Sequence, residues 1–331
     1  MGIKFSLLTV VALIAAVFLG VKVAGMSFLF GVVIPYAAIL LFLGGFVYRI
    51  LGWARSPVPF RIPTTAGQQY SLPWIKQNKI DNPSTTAGVI GRMALEVLCF
   101  RSLFRNTRFE FKEGPKLVYQ WEKWLWLAAL AFHYSFLVIF IRHLRFFTEP
   151  VPGFVHGLER LDGFLQVGLP GIYITDLLFI VAVTYLFIRR VVIPQVRYIS
   201  LPADYFPLFV LLALGLSGIL MRYFTKVDIL KVKELAIGLV TLHPAVPEGI
   251  GVLFFIHLFL ISVLFAYFPF SKLMHLGGVF LSPTRNLPND SRMVRHVNPW
   301  NYPVKVHTYA EYEDHFRDKM IEAGLPVEKE N

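Results

Sequence analysis

Apolar runs long enough to cross a bilayer constrain this chain more than any other feature. The stretch VLFFIHLFLISVLFAYFPF carries no charged side chain. Further runs also approach the ~20 residues that a transmembrane helix needs. The candidate spans fall at about 5–21, 27–50, 124–147, 172–193, 204–224 and 250–276. In lipid every backbone amide must find a partner within its own segment. The expected fold is therefore all-α, a polytopic membrane helix bundle of about six transmembrane helices. The first run is long for a signal peptide, lacks a clear A-x-A site and is followed at once by another span, so it is read as an uncleaved anchor.

A net charge of +11 would suit nucleic acid, but membrane proteins place Lys and Arg in cytoplasmic loops for topological reasons, and that reading is preferred. Basic residues follow spans two, four and six and precede span three, whereas the loop after span three holds Glu149, Glu159 and Asp162 against Arg160. This places both termini and the 52–120 loop in the cytoplasm of a multi-pass cytoplasmic-membrane protein. Arg222, Lys226, Lys231 and Lys233 run against the rule. The expected organisation is a two-helix anchor over 1–50, a cytoplasmic loop over 51–120, a four-helix membrane core over 121–280 and a cytoplasmic tail over 281–331.

Within the loop, GRMALEVLCFRSLFRNTR puts Met93, Val97, Phe100 and Phe104 on one helical stripe and Arg92, Arg101, Arg105 and Arg108 elsewhere. This predicts an interfacial helix or a dock for a partner. Cys99, on its stripe side, is expected to be a small apolar filler. In the tail, Thr308 and Glu311 stand at capping-box spacing, Gly324 is placed to end the helix, and Tyr312, Phe316 and Met320 form a stripe that needs a cover.

Four histidines carry the chemistry. His257 and His275 lie eighteen residues apart in the last span, so on a straight helix they face the same way, roughly 27 Å apart. Span three supplies His133 and His143, ten positions apart and about 15 Å in rise. Because these spans run antiparallel, His143 and His257 fall near the outer face, and His133 and His275 near the inner face. The unequal spacings require tilt, or a bend near Pro269. Two imidazoles facing each other suit a haem, whereas zinc or copper would want three or four ligands near one point. The single cysteine, Cys99, excludes an intrachain disulfide, a cysteine-ligated iron–sulfur cluster and a CxxCH haem attachment. His156, His243, His296, His307 and His315 have no facing partner and are expected at surfaces.

HLFLISVLFAYFPFSKLMH resembles the last haem-binding helix of the respiratory nitrate reductase gamma subunit family. The His133–His143 spacing followed by LRFFTEP is similar to that family's other haem helix. The N-terminal span, the long loop and the tail SPTRNLPNDSR…WNYPVKVHTYAEYEDHF resemble instead the cytochrome b-like subunits of Hdr-like menaquinol oxidoreductases. The resemblance implies two haem b groups, one on His143 and His257 and one on His133 and His275. It also implies menaquinol as redox partner and a cytoplasmic, heterodisulfide reductase-like iron–sulfur subunit. Further membrane and haem c subunits, and a place in sulfur or sulfite respiration, are implied in the same way. The alternatives are a nitrate reductase gamma subunit and a haem-free membrane anchor or transporter.

A quinol site needs an apolar slot beside a haem and groups that bind its oxygens. Arg142, next to His143, and Asp176, about one turn into span four, are the intramembrane ionisable residues that qualify. Snorkelling of Arg142 and a helix-start contact of Asp176 are the plainer alternatives.

Overall fold

The computed structural model describes residues 2–56, 58, 61, 67–114, 116–163, 171–290 and 306–329. Ten helices of ten or more residues organise these: α1 (Gly2–Lys22), α2 (Ile34–Ala54), α3 (Thr86–Cys99), α4 (Lys123–His143), α5 (Gly153–Asp162), α6 (Ile174–Val192), α7 (Pro202–Ile219), α8 (Ile229–Val240), α9 (Val252–Tyr267) and α10 (Tyr309–Glu322). Among the described residues five stretches are long and apolar enough to cross a membrane: α1, Leu29–Ala54, Lys123–Phe146, Pro202–Thr225 and Val252–Phe270. The sixth expected span forms α6, nineteen residues long, whose apolar middle is bracketed by Asp176 at one end and Arg189 and Arg190 at the other.

α9 is the axis of the bundle, packing against α1, α2 and α7, while α6 joins α4 to α7. The core includes Val17, Phe30, Val210, Leu235, Phe255 and Leu260, so the N-terminal helices share one interior with the later spans. A second cluster of Phe179, Val183 and Leu211 fills the seam between α6 and α7. Large side chains such as Phe5, Leu8, Leu40 and Tyr48 point outward, as lipid-facing surfaces require.

The last span does not run straight from His257 to His275. α9 stops at Tyr267, a 3₁₀ turn over Phe268–Phe270 follows, and Ser271 is extended before a second 3₁₀ turn, Lys272–Met274. Pro269 cannot donate its backbone nitrogen, and Ser271 Oγ accepts from Leu273 N (3.2 Å) to start the new turn. The break fits tightly under α2. A Cβ at Gly45 would lie 2.6 Å from Pro269 Cβ, so only glycine admits it.

The loop helix is likewise shorter than expected. α3 ends at Cys99 because Phe100 takes a left-handed conformation (φ 51°, ψ 47°), and only the turn Arg101–Phe104 follows. Phe100 and Phe104 thus leave the predicted stripe. Arg92, expected on the polar face, is buried, and Cys99 is exposed rather than a filler. Tertiary contacts explain the stop: Trp126 Nε1 and Tyr134 Oη of α4 donate to the carbonyls of Cys99 (2.7 Å) and Leu98 (2.9 Å). An unanticipated antiparallel hairpin follows, β1 (Thr107–Lys112) with β2 (Lys116–Trp121). Arg108, Phe109 and Glu110 alternate as a strand does, and Gly114 (φ 83°) supplies the turn.

In the tail, Thr308 Oγ1 accepts from Glu311 N (3.3 Å) and Glu311 Oε2 accepts from Thr308 N (2.9 Å), the capping box its sequence announces. Met320 is buried, while Tyr312 and Phe316 stay largely open.

Candidate functional site

α4 carries His133 and His143, α9 carries His257 in its second turn, and His275 opens the short helix beyond the break. These rings meet in two pairs. His143 and His257 have ring centres 6.4 Å apart and planes 11° from parallel. His133 and His275 have centres 5.9 Å apart and planes at 86°. Two imidazoles that share a metal through Nε2, at about 2.0 Å per bond, would have centres about 6 Å apart.

The hydrogen bonds on the other ring nitrogens support that use. His133 Nδ1 bonds Ala129 O (2.7 Å), His143 Nδ1 bonds Ile139 O (2.7 Å), and His275 Nδ1 bonds Lys272 O (3.0 Å). A carbonyl only accepts, so each Nδ1 holds its proton and each Nε2 keeps a free lone pair. His257 differs: its Nδ1 lies 2.8 Å from Ser217 Oγ, and that hydroxyl donates to Leu214 O (3.0 Å). Ser217 therefore accepts from His257 and leaves the same free Nε2. Partners of this kind orient a metal-binding imidazole and set its basicity. If each pair holds a haem, Ser217→Ala is expected to shift the reduction potential at the His143/His257 pair and leave the other pair unmoved, as a potentiometric titration would resolve.

The surroundings suit a flat apolar cofactor. Phe100 and Phe132 set their edges against His133 at 4.9 and 4.8 Å, and Phe146 stands 5.7 Å from His143. A Cβ at Gly218 would meet only His257 Cε1, at 3.5 Å, so space beside that ring is open. Among the described residues no three His, Cys, Asp or Glu side chains converge as a metal-ion ligand group. Each pair thus offers two nitrogen ligands, the donor set of a six-coordinate haem and too few for a bare zinc or copper ion.

Next to the His143/His257 pair lies a cluster of buried charge. Arg142, 8% exposed at its side chain, hydrogen-bonds Asp176 through Nη2, and its Nε stands 3.2 Å from Asp162 Oδ2 without donating to it. Tyr223 Oη donates to Asp176 Oδ2 (2.8 Å) and accepts from Tyr173 N (3.0 Å). Thr175 donates to Asp162 through both its amide (2.9 Å) and its hydroxyl (2.6 Å). The Tyr173 ring carries the Arg142 guanidinium at 3.8 Å and that of Arg222 at 4.0 Å. Arg142 neither snorkels to water nor stands alone. Of the basic residues that defied the topology rule, Arg222 belongs to this cluster, Lys231 donates to Glu248 O (2.8 Å) and Lys233 pairs with Glu149.

At the other pair, Lys272 offers its carbonyl to His275 and its ammonium to the buried Asp204 (2.6 Å). His156, His243, His307 and His315 are exposed, and His296 lies outside the described residues.

The sequence profile of the nitrate reductase gamma subunit family matches residues 91–296, which include all four paired histidines. This chain belongs to that family. Two curated relatives share more of its length. The Hdr-like menaquinol oxidoreductase cytochrome b-like subunit of Archaeoglobus fulgidus is 47% identical over 280 residues, 82% of this chain and 83% of the relative. Its namesake in Archaeoglobus profundus is 46% identical over 275 residues, 81% of each chain. The chain is thus a cytochrome b-like membrane subunit related to oxidoreductases.

Sequence reasoning singled out Arg142 and Asp176 but missed Asp162, Tyr173 and Tyr223, which join them from two other helices and a loop. It also missed Ser217, whose signal was a hydroxyl inside the apolar run LLALGLSGIL.

Proposed function

We propose that this chain is a dihaem cytochrome b, with one haem b held by His143 and His257 and a second by His133 and His275. It exchanges electrons between menaquinol and a cytoplasmic, heterodisulfide reductase-like iron–sulfur subunit. In this reading it works beside further membrane and haem c subunits in sulfur or sulfite respiration. The observation that carries the proposal is the pairing itself. Four histidines form two facing pairs, and each is held through Nδ1 so that Nε2 is free. The long alignment with the Archaeoglobus subunits, beyond the region matched by the nitrate reductase profile, favours the Hdr-like branch over a nitrate reductase gamma subunit.

His143 with His257, and His133 with His275, would each hold a haem, which when bound would supply one-electron transfer. The chain's own residues do the rest. Apolar walls shield His133, His143 and His257, while His275 stands exposed at the end of its pair. Arg142 and Asp176, beside His143, are the groups proposed to bind a quinol oxygen and take up its proton. Asp176 would pass the proton it takes up toward the face bearing α5, and the two histidine pairs would hold the groups that accept the electrons. The proposed setting is the cytoplasmic membrane, with both termini and the 51–120 loop in the cytoplasm. Residues 1–50 would anchor, 121–280 form the dihaem core, and 281–331 contact the partner.

Haem content per chain tests this. A pyridine haemochrome of the b type at about two haems per chain, reducible by a menaquinol analogue, is expected. No haem in protein expressed with a haem supply would end the proposal.

A further inference from the structure

The segment 67–105 is stitched to the stretch after the last span. Asn289 N donates to Pro83 O (2.7 Å), Tyr70 N donates to Asn289 O (3.3 Å), and the short helix Pro283–Asn286 packs on α3. Inside this unit lie two buried arginines, Arg61 (2% exposed) and Arg92 (7% exposed). Arg61 Nη2 donates to Asp81 O (3.1 Å), yet among the described residues Nε and Nη1 of both arginines are buried and find no acceptor. A buried charged donor left unmade costs as much as a broken charge-assisted hydrogen bond.

Two local carboxylates are already taken. Asp81 pairs with Arg101 (3.0 Å) and Arg105, and Glu96 accepts from Arg285 Nε (3.1 Å) and from Ser102. With Asp290, whose Oδ1 is also buried, five arginines face three acids. Burial and then the Arg92 charge pull the Arg61 pKa down to about 10. Burial first, then Arg285 and Arg101, pull Arg92 down against the opposing pull of Glu96. By contrast the buried Arg142 has Asp162 and Asp176, and Arg189 has Glu122 (3.1 Å).

We propose that Arg61 and Arg92 form a binding site for a phosphate-class oxyanion. Two guanidinium forks present the donors that a tetrahedral anion accepts, and each fork matches phosphate in a bidentate way. The anion has two available sources. One is the headgroup of an anionic phospholipid, because α3 is tied to α4 through Trp126 and Tyr134, residues of the type that sit at a membrane interface. The other is soluble phosphate. The site is independent of the haem proposal.

The test uses the full chain purified in detergent. Native mass spectrometry reads retained phospholipid. Hydrogen exchange across 67–105 reads protection by inorganic phosphate added to delipidated protein, against sodium chloride at equal ionic strength. A lipid adduct identifies the headgroup, and phosphate-specific protection without an adduct identifies the free anion. Either supports the site if Arg92→Gln or Arg61→Gln weakens binding roughly tenfold or more while Arg92→Lys retains part of it. Absence of both signals in the unaltered chain overturns the proposal and leaves water as the partner, and so does equal binding in Arg92→Gln. Should the glutamine variants fail to fold, the unaltered chain and Arg92→Lys decide.

Discussion

Replacing His257 by alanine is expected to lower the haem content of the purified chain from about two per chain to about one. The His143 ring would lose its partner at 6.4 Å, and a single imidazole holds a six-coordinate haem far less well than two. The His133/His275 pair should stay loaded, because the break at Phe268–Ser271 and the hydrogen bonds its rings donate to the carbonyls of Ala129 and Lys272 position it separately. His133→Ala should halve the content in the complementary way, leaving the spectrum of the other site. His243→Ala, at an exposed position, serves as the control and should leave two haems. Pyridine haemochrome assay with reduced-minus-oxidised spectra measures all three. Full haem content in His257→Ala would mean that the facing rings are packing residues.

The second large effect is expected at Arg142. Removing this cation leaves Asp162 and Asp176 buried with no positive partner at hydrogen-bond range, and breaking a buried pair in this way costs about 3–5 kcal/mol. Arg142→Leu should therefore destabilise the detergent-purified chain severely. Asp176→Asn should be milder, since Arg142 keeps Asp162 at 3.2 Å and an amide can still accept from Tyr223. If Arg142 and Asp176 also bind quinol, Asp176→Asn should lose menaquinol-analogue oxidation out of proportion to its stability. Unfolding followed by tryptophan fluorescence gives the first quantity and quinol-dependent haem reduction the second. Equal stability of Arg142→Leu and the unaltered chain would show that the cluster is hydrated and its charges are not buried.

The histidine pairing was legible because it needed only spacing along two helices and their antiparallel direction. His133 and His143 sit on one long apolar helix, whose backbone geometry follows from the lack of other hydrogen-bond partners in lipid. The charge cluster was half legible. An Arg and an Asp inside apolar runs stand out in any sequence. Asp162 and Tyr173, however, come from a loop helix and the approach to α6, and nothing local says that they fold over Arg142. The expected helix through Phe100 failed for the same reason. Its period was sound to Cys99, but contacts from Trp126 and Tyr134, more than twenty residues on, favour a left-handed residue that local propensity opposes. The hairpin at 107–121 went unread because its strands are only six residues long and place Phe109, Tyr119 and Trp121 at exposed positions, so no buried apolar alternation marks them.

Sequence alone determined that this chain is a bundle of membrane helices and which histidines could meet, since apolar length and residue spacing are properties of single segments. Only the tertiary structure decided how the unequal spacings of ten and eighteen residues are reconciled. The last span breaks at Pro269–Ser271, so His275 reaches His133 from a new turn. It also decided which buried charges are neutralised, as at Arg142, and which are left open, as at Arg61 and Arg92. Such outcomes depend on groups brought together from distant segments, and their energy appears only when those groups share one low-dielectric interior.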